Sequence, residues 1–405
     1  MKTAKFKDSP LGPIPHDWEV KRLGKICDVQ LGKMLDSAKN QGEECFYLTN
    51  KDVQWGRISV SDLRRMRMSE DDRQRFSLRQ GDLLVCEGGE VGRCAIWNSE
   101  VEGCCFQKTI HRVRANVSDT IDMRFLQPLL CVYAKKGVFD PYISCTSIAH
   151  LTKEKFELLE IICPPVPEQQ RIAEALGEVD KLIESLDEQI EKKRLIAKGV
   201  AHDLLSGKKR LPGFKGAWRC AHLGTLVDFI TDTIATKDID TRKYVSTDNM
   251  LSNLAGVTPN KSIVPYASVR EFKSGDILLS NIRPYLKKMW FADYDAGCST
   301  DVLVLRVVAD LIDSRFLYRV LARDTFFEFV SAKAVGTKMP RGDKRVIAVF
   351  QVPIPQLAEQ QAIADLLGEQ DAAIAVLEEK REKYARIKEG MMRDLLTGKV
   401  RMKGE

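Results

Sequence analysis

The sequence lacks the patterns that would place it in a membrane or outside the cell. None of its 405 residues belongs to a stretch approaching the roughly 18 consecutive uncharged apolar residues of a membrane-spanning helix. The N-terminal segment, MKTAKFKDSPLGPIP, contains lysines but no apolar core, so it does not have the pattern of a signal peptide. These absences predict a cytoplasmic protein.

Motifs of catalysis and metal binding are also missing. The only adjacent prolines, Pro164 and Pro165, do not form the D/N/S-P-P-Y/F pattern with which adenine methyltransferases hold a flipped base. No GxxxxGK[S/T] loop occurs, and the glycine-rich residues 87–92 are expected to form a tight turn. Five histidines form no HExxH or HxH, and eleven cysteines no CxxC or CxxH. We therefore expect no catalytic residue, metal or cofactor on this chain, and reduced structural cysteines.

The chain is a tandem repeat. The segment from Glu168 reads EQQRIAEALGEVDKLIESLDEQIEKKRLIAKGVAHDLLSGK, and the segment from Glu359 reads EQQAIADLLGEQDAAIAVLEEKREKYARIKEGMMRDLLTGK. They align without a gap over 41 positions at an offset of 191, and 21 positions are identical. Upstream, Gly81 in QGDLLV matches Gly275 in SGDILL at an offset of 194. Each unit is thus a variable region of about 150 residues followed by a long regular element.

Both regular elements have the signals of a helix. Prolines precede each and a glycine follows each: Pro164, Pro165, Pro167 and Gly207 in the first copy, Pro353, Pro355 and Gly398 in the second. A helix from Glu168 to Leu205 would be about 57 Å long, since each residue adds about 1.5 Å.

Apolar residues recur in both helices at alternating spacings of three and four, which predicts a heptad seam. The predicted seam residues are Ile172, Leu176, Val179, Ile183, Leu186 and Ile190 in the first helix and Ile363, Leu367, Ile374, Leu377 and Tyr384 in the second. Gln370, Arg381 and Lys388 interrupt the second seam, so the helices are expected to be complementary. The pattern favours an antiparallel pair within the chain.

Two pairs of glycines lie inside these helices, Gly177 with Gly368 and Gly199 with Gly390. Each should lower helix stability by roughly 1 kcal/mol relative to alanine. That cost is expected where two backbones approach closely, and the alternative is that the glycines are tolerated on an exposed face.

Two similar globular regions joined by rigid helices would present two reading surfaces at a set distance. One turn of B-DNA rises about 34 to 36 Å, so such surfaces could contact two short sites on one duplex. The formal net charge of +6 supports nucleic-acid binding only where basic residues cluster. The architecture therefore favours a DNA-binding protein that recognises two sites.

The repeated segments PPVPEQQRIAEAL…LLSGK and PIPQLAEQQAIADLL…LLTGK, with GDLL and GDIL, resemble the specificity (HsdS) subunits of Type I restriction-modification systems. The resemblance covers essentially the whole chain and implies an α+β fold: two similar mixed α/β target-recognition domains, separated by two long antiparallel coiled-coil helices, as a pseudo-two-fold tandem repeat. The domains would be residues 1–163 and 208–352. The spacer helices would be residues 164–207 and residues 353–405, the latter including the tail.

The resemblance implies further properties. The chain would be a non-catalytic subunit in which each domain reads one half of a bipartite, asymmetric site in double-stranded DNA. Its partners would be two HsdM methyltransferase subunits, which bind S-adenosylmethionine and methylate adenine, and HsdR restriction subunits. ATP and magnesium would also be bound by partner subunits rather than by this chain.

Basic and amide side chains in the loops of the variable regions are the candidates for DNA contact. In the first region they are Asn50, Lys51, Gln54, Arg57, Arg93, Gln107, Lys108, Thr146 and Ser147; in the second they are Arg283, Tyr285, Lys287, Lys288, Lys338, Arg341 and Lys344. For any one of them a solvated surface charge is an equal alternative. The run of residues 64–75, RRMRMSEDDRQR, is expected to form an exposed amphipathic helix.

Two other functions stay open at this stage. A methyltransferase or nuclease with a degenerate site would bind S-adenosylmethionine. A non-catalytic coiled-coil adaptor that binds nucleic acid would prefer single strands or lack basic heads.

Overall fold

The computed structural model describes residues 6–36, 40–117, 120–145, 149–308, 311–333 and 340–402. The chain forms two compact units. The first contains residues 1–187 and 379–405, and the second contains residues 188–378. The two long helices, Val166–Leu205 and Leu357–Leu395, each contribute one part to each unit.

The first unit is built on a four-stranded antiparallel sheet. Its strand order is Cys94–Ile96, Leu83–Cys86, Ile110–Ala115, Cys27–Leu31. A three-stranded sheet follows the order Cys105–Phe106, Glu43–Leu48, Arg64–Met68, and its first pair is parallel. The strand pairs are Phe6–Lys7 with Ile14–Pro15, Glu19–Arg22 with Glu160–Cys163, Val53–Gln54 with Arg57–Ile58, and Ser144–Cys145 with Ala149–His150. The shorter helices are Leu23–Ile26, Glu70–Phe76, Met123–Lys135 and Lys153–Glu157.

The second unit has a sheet of the same order. Its four strands are Met289–Phe291, Ile277–Ser280, Val302–Val307 and Val227–Ile230. The three-stranded sheet is Thr233–Ala235, Ser268–Phe272, Ala296–Cys298, and Arg219–His222 pairs with Gln351–Ile354. The shorter α-helices are Ser314–Leu321, Asp324–Ala332 and Lys344–Ala348. The internal repeat is therefore a repeat of topology in the four-stranded sheet, whereas the three-stranded sheets differ in strand order.

One interpretation of the sequence was wrong for residues 64–75. Arg64–Met68 is a β-strand in which Met66 and Met68 are buried and the arginines are exposed, the two-residue alternation of a half-buried strand. The helix begins only at Glu70, after Ser69 accepts a hydrogen bond from the Asp72 amide at 3.2 Å.

The apolar residues between positions 101 and 113 predict a single strand there, and this prediction was also wrong. Cys105–Phe106 and Ile110–Ala115 belong to different sheets, with a turn between them.

The repeated Gly-Asp motif forms a buried ion pair in each unit. Asp82 and Asp276 are each 2% exposed. Asp82 accepts hydrogen bonds from the Arg79 amide at 2.7 Å and from Arg114 Nη2 at 2.7 Å. Asp276 does the same with the Lys273 amide at 2.8 Å and with Arg306 at 2.9 and 2.7 Å. The motif is thus structural, since it ties a turn to a neighbouring strand.

The Glu-Gln pair at the start of each long helix anchors that helix to its globular region. Gln169 Oε1 accepts the Asp122 amide at 2.9 Å, and Gln169 Nε2 donates to the Pro164 carbonyl at 2.8 Å. Gln360 makes the equivalent bonds in the second unit, with the Asp313 amide at 2.8 Å and the Pro355 carbonyl at 2.9 Å. Both glutamines are buried. These residues, which lie in the most similar part of the repeat, therefore attach each long helix to its globular region.

The glutamate of each pair binds an arginine from the segment after the other long helix. In the second unit, Glu359 accepts hydrogen bonds from Arg210 at 2.5 and 2.6 Å. In the first unit, Glu168 accepts hydrogen bonds from Arg401 at 2.8 and 2.7 Å. The matching tryptophans, Trp218 and Trp18, also donate to these carboxylates, at 3.3 and 3.1 Å.

The long helices pair in antiparallel fashion within each unit. In the first unit Lys388 pairs with Asp180, and Arg381 with Asp187 at 3.0 Å, so residue numbers rise along one helix as they fall along the other. Two of the three residues that interrupt the second seam, Arg381 and Lys388, therefore make charged pairs across the helices. Ile172, Leu176, Leu186, Ile190, Ile363 and Leu367 are buried, and Val179, Ile183, Ile374, Leu377 and Tyr384 are half-buried.

The expectation that the helix glycines mark close backbone contacts was wrong. A Cβ atom added at Gly177, Gly199 or Gly368 would meet no described atom within 4 Å, and at Gly390 it would meet only Arg393 Nη2 at 4.0 Å. Side chains on the seam, rather than these glycines, hold the helices at their distance.

A buried histidine makes the first unit sensitive to acid. His111 is fully buried, its Nε2 lies 2.7 Å from the Leu151 carbonyl, and its Nδ1 has no partner among the described residues. Burial lowers the pKa of His111 to about 4. Below about pH 6.5 the His111 side chain is protonated in the unfolded chain but still neutral in the folded chain. The stability that depends on neutral His111 is therefore complete above that pH and is lost as the pH falls toward 4.

We expect His111→Gln to reduce the loss of unfolding free energy between pH 7 and pH 4.5 by about 2 to 3 kcal/mol, because glutamine can donate to Leu151 without titrating. Urea unfolding of both proteins at the two pH values measures this. Equal pH dependence in the two proteins would show that His111 titrates normally.

All ten cysteines that the structure describes are free, and most are buried. Within the described ranges, no helix is long and apolar enough to cross a membrane. The same ranges contain no group of three or more His, Cys, Asp or Glu side chains that could hold a metal ion.

Candidate nucleic-acid interface

Several loops of the first unit meet beyond the same ends of its two larger sheets. The Gln107 amide donates to the Leu48 carbonyl at 3.0 Å, the Glu87 amide to the Thr109 carbonyl at 2.9 Å, and the Leu151 amide to the Glu87 carbonyl at 2.8 Å. Loops 49–57, 87–93 and 107–109 therefore form one surface. It contains the candidate residues of the first region except Thr146 and Ser147, which lie outside the described residues.

Arg93 holds this surface together. Its Nη2 donates to the Asn50 carbonyl at 2.6 Å and its Nη1 to Glu90 at 3.1 Å, while the other Glu90 oxygen accepts Trp55 Nε1 at 2.9 Å. Gln54 is engaged as well, with the Lys51 carbonyl at 2.7 Å. The guanidinium of Arg93 is thus committed to the loops, and its role is to position them.

Three cations of this surface point to solvent. Lys51, Arg57 and Lys108 are exposed, and their side chains make no hydrogen bond or ion pair with the residues that the structure describes. Gln107 is half-buried beside Lys108. An array of unpaired cations on loops is the arrangement that neutralises phosphates, because each can displace a condensed counterion.

The two candidate clusters of the second unit are brought together by backbone hydrogen bonds. The Arg283 amide donates to the Pro340 carbonyl at 2.8 Å, and the Gly342 amide donates to the Asn281 carbonyl at 2.9 Å. Residues 281–288 and 340–345 therefore lie side by side. Lys338 lies outside the described residues.

Most of the charged side chains in this cluster have a partner. Lys287 pairs with Asp324 at 2.5 Å, Lys288 donates to the Thr247 carbonyl at 2.6 Å, and Arg341 pairs with Asp301 at 3.1 Å. Lys344 is exposed, and its Nζ lies 4.7 Å from the centre of the Phe229 ring. Arg283 and Tyr285 are exposed, and within the described part of the chain neither side chain has a polar partner.

Each unit builds its loop surface partly with a turn that was not predicted from the sequence. In LTNKDV, Thr49 and its amide bind Asp52 Oδ2 at 2.9 and 2.7 Å. In VSTDNM, Ser246 and its amide bind Asn249 Oδ1 at 3.3 and 2.7 Å. A hydroxyl residue followed three positions later by Asp or Asn was the available signal.

The arginines of the Arg64–Met68 strand were also missed as candidates. Arg64, Arg65 and Arg67 are exposed on the edge strand of the three-stranded sheet. They are candidates for phosphate contact, although charged side chains on an edge strand also have the general effect of opposing edge-to-edge aggregation.

The family model for the Type I restriction modification DNA specificity domain matches residues 15–193 and 229–385, which lie in both repeats. The chain belongs to this family. The resemblance found in the repeated segments is thereby confirmed. As a specificity subunit, the protein is a non-catalytic DNA-recognition component of a restriction-modification system.

Three curated relatives are specificity subunits, and two of them match this chain over nearly its whole length. The chain is 24% identical over 425 residues to the putative Type I restriction enzyme MjaX specificity subunit of Methanocaldococcus jannaschii, covering 99% of this chain and 98% of the relative. It is 25% identical over 431 residues to the MjaVIII specificity subunit of the same organism, covering 99% and 97%. The EcoDI specificity subunit of Escherichia coli is 26% identical over 158 residues, covering 38% and 35%.

Solved structures confirm the fold class. The S subunit of a Type I restriction-modification system from M. genitalium superimposes with a TM-score of 0.61 at 16% identity, over 97% of this chain and 98% of that chain. A chain from a study of complex assembly and conformational transition in a Type I system superimposes with a TM-score of 0.55 at 17% identity, over 96% and 99%. The specificity subunit thus has the α+β, two-domain architecture of its family.

Proposed function

We propose that this specificity subunit reads a bipartite, asymmetric site in double-stranded DNA, one half with each unit. The observation that carries the proposal is the contrast between the two loop surfaces. The four-stranded sheets of the two units have the same strand order, but the first surface presents Lys51, Arg57 and Lys108, and the second presents Arg283 and Tyr285. Two units that share this sheet but differ in their exposed side chains suit two different half-sites.

Two methyltransferase (HsdM) subunits would dock on the long helices, and restriction (HsdR) subunits would join through them. Exposed apolar side chains support this: Ile196 is 52% exposed, and its repeat counterpart Ile387 is 41% exposed. Leu195 beside it is 70% exposed. S-adenosylmethionine, ATP and magnesium would be bound by those partners, and the complex would act in the cytoplasm.

Methylome sequencing of the host with and without this gene tests the proposal. We expect N6-methyladenine in a motif of two short halves separated by unspecified bases, and we expect that motif to vanish when the gene is deleted. A single continuous motif would contradict the proposal that the protein reads two half-sites. A methylome unchanged by deletion, in a host that expresses all subunits, would also contradict it. The latter result would favour a nucleic-acid-binding adaptor.

A further inference from the structure

The second unit contains a concentration of residues in the left-handed backbone conformation. Among the described residues, the non-glycine positions with positive φ are Ser99, Asn253, Leu254, Arg283 and Lys287. All but Ser99 come together in one place. The Asn253 amide donates to the Leu286 carbonyl at 2.9 Å, and the Leu254 amide donates to the Lys287 carbonyl at 3.0 Å.

These contacts make residues 283–287 a rigid loop. The Leu286 amide closes back on the Arg283 carbonyl, and the Lys287 amide on the Pro284 carbonyl, both at 2.9 Å. Pro284 is buried, whereas Tyr285 is 56% exposed. The loop therefore holds the Arg283 and Tyr285 side chains outward on a backbone that its neighbours keep in place.

The first unit shows which residue this backbone favours. Its equivalent loop joins the matching strands, Leu83–Cys86 and Cys94–Ile96, and has positive φ at Gly89 and Gly92. The offset of 194 that aligns the Gly-Asp turns places Gly89 at Arg283, and one inserted residue places Gly92 at Lys287. Glycine adopts these angles without a steric penalty, and arginine and lysine do not.

The protein thus keeps Arg283 at a position where glycine would be more stable, and the Arg283 side chain makes no hydrogen bond or ion pair with the described residues in return. Lys287 at least has its ion pair with Asp324, but both side chains of that pair are partly exposed and such pairs stabilise little. A strained residue held by its surroundings is a recognised sign of a functional position. For an unpaired, outward arginine on a DNA-recognition subunit, that function is contact with DNA.

We propose that Arg283 is a specificity-determining residue of the second unit, which reads a base edge in the DNA half-site, and that Tyr285 lies against the same DNA. This inference rests on the proposed function and adds to it the residue that contacts a base and the kind of contact that it makes. An arginine on a fixed backbone can donate two parallel hydrogen bonds to guanine O6 and N7, a geometry that lysine does not have. The Asn253–Leu254 turn acts as a positioning element beneath the loop.

The test compares Arg283→Gly, Arg283→Lys and Ser99→Gly in the full chain, expressed with its methyltransferase subunits. Ser99 also has positive φ and is exposed, but it belongs to the first unit and follows the end of strand Cys94–Ile96 that is opposite to that unit's loop surface, so it is the backbone control. We expect both glycine variants to raise the Tm by about 2 to 4 °C, because each relieves strain. Only Arg283→Gly should lower affinity for the methylated motif, by about 5- to 150-fold.

The lysine variant separates base reading from phosphate binding. We expect Arg283→Lys to lose discrimination at one base pair of one half-site in the methylome, with the other half unchanged. Wild-type behaviour of Arg283→Lys would make Arg283 a phosphate contact and overturn the proposal, as would an unchanged motif and affinity in Arg283→Gly or a fall in its Tm. If the wild-type complex itself gave no bipartite motif, the proposed function would fail instead.

Discussion

Arg401→Ala should lower the free energy of unfolding of the first unit by about 3 to 5 kcal/mol, the usual result of removing one partner from a buried ion pair. Glu168 is 2% exposed. Its carboxylate accepts hydrogen bonds from Arg401, from Trp18 Nε1 at 3.1 Å and from the Met402 amide at 3.1 Å. Burial by itself would raise the pKa of Glu168, but hydrogen bonds from Arg401 and Trp18 hold it below its usual range. Without Arg401 a buried carboxylate would have lost its counter-charge.

Arg401 also joins two parts of the first unit that are far apart in sequence. Its Nη1 and Nη2 donate to Asp17 at 2.8 Å, and its guanidinium carbon lies 5.4 Å from the centre of the Trp18 ring. The substitution therefore loosens the N-terminal segment and the start of the first long helix together. We expect the effect in the unfolding transition of the first unit, measured with denaturant and monitored by tryptophan fluorescence.

Two further variants make the experiment specific. Adding Glu168→Gln to Arg401→Ala should recover part of the loss, because it removes the unpaired charge. Arg210→Ala is the matched control, since its partner Glu359 is also fully buried but belongs to the second unit. If Arg401→Ala unfolded like the wild type, the tail would have no part in stabilising the first unit.

Inserting seven residues into both long helices, after Asp187 and after Glu378, should lengthen the gap between the two half-sites by about 3 base pairs. Seven helical residues add about 10.5 Å, and each base pair rises about 3.4 Å. A whole heptad returns the seam to the same face of each helix, so the half-site sequences should not change. Methylome sequencing of a strain that carries the variant measures both the length of the gap and the sequences of the two half-sites.

Controls for this insertion come from the pairing of the helices. A heptad added to the first helix alone would shift Asp180 and Asp187 against Lys388 and Arg381, and we expect altered spacing or loss of binding. Two residues added to both helices would turn the seam away from its partner and should abolish methylation. An unchanged gap in the double-heptad variant would refute the idea that the helices determine the spacing.

Regular structure was predictable where it depends on local pattern. The long helices follow from heptad spacing, from the prolines before them and from the glycines after them, and their ends, Leu205 and Leu395, lie within one residue of expectation. The strand of residues 64–68 was missed because arginine and methionine alternate there within a highly charged run. Its two-residue period is visible once Met66 and Met68 are known to be buried.

Contacts between distant segments were not predictable in the same way. Arg93 and Arg283 are both candidates on equivalent loops, yet Arg93 is bound to the carbonyl of Asn50, 43 residues earlier, and Arg283 is unpaired among the described residues. Residue type and spacing give the same prediction of DNA contact for both arginines. Gly177 and Gly368 likewise looked like contact points, and the space around them is open.

The sequence by itself determined the repeat, the helical seam and the family, because heptad periodicity and a gapless offset depend only on the order of residues along the chain. Only the tertiary structure decided which cations remain free, where the backbone is strained, and that Arg401 lies against Glu168, 233 residues away. These features arise where separate segments meet. Their energy depends on burial and on the distance between charges, and neither quantity exists until the chain has folded.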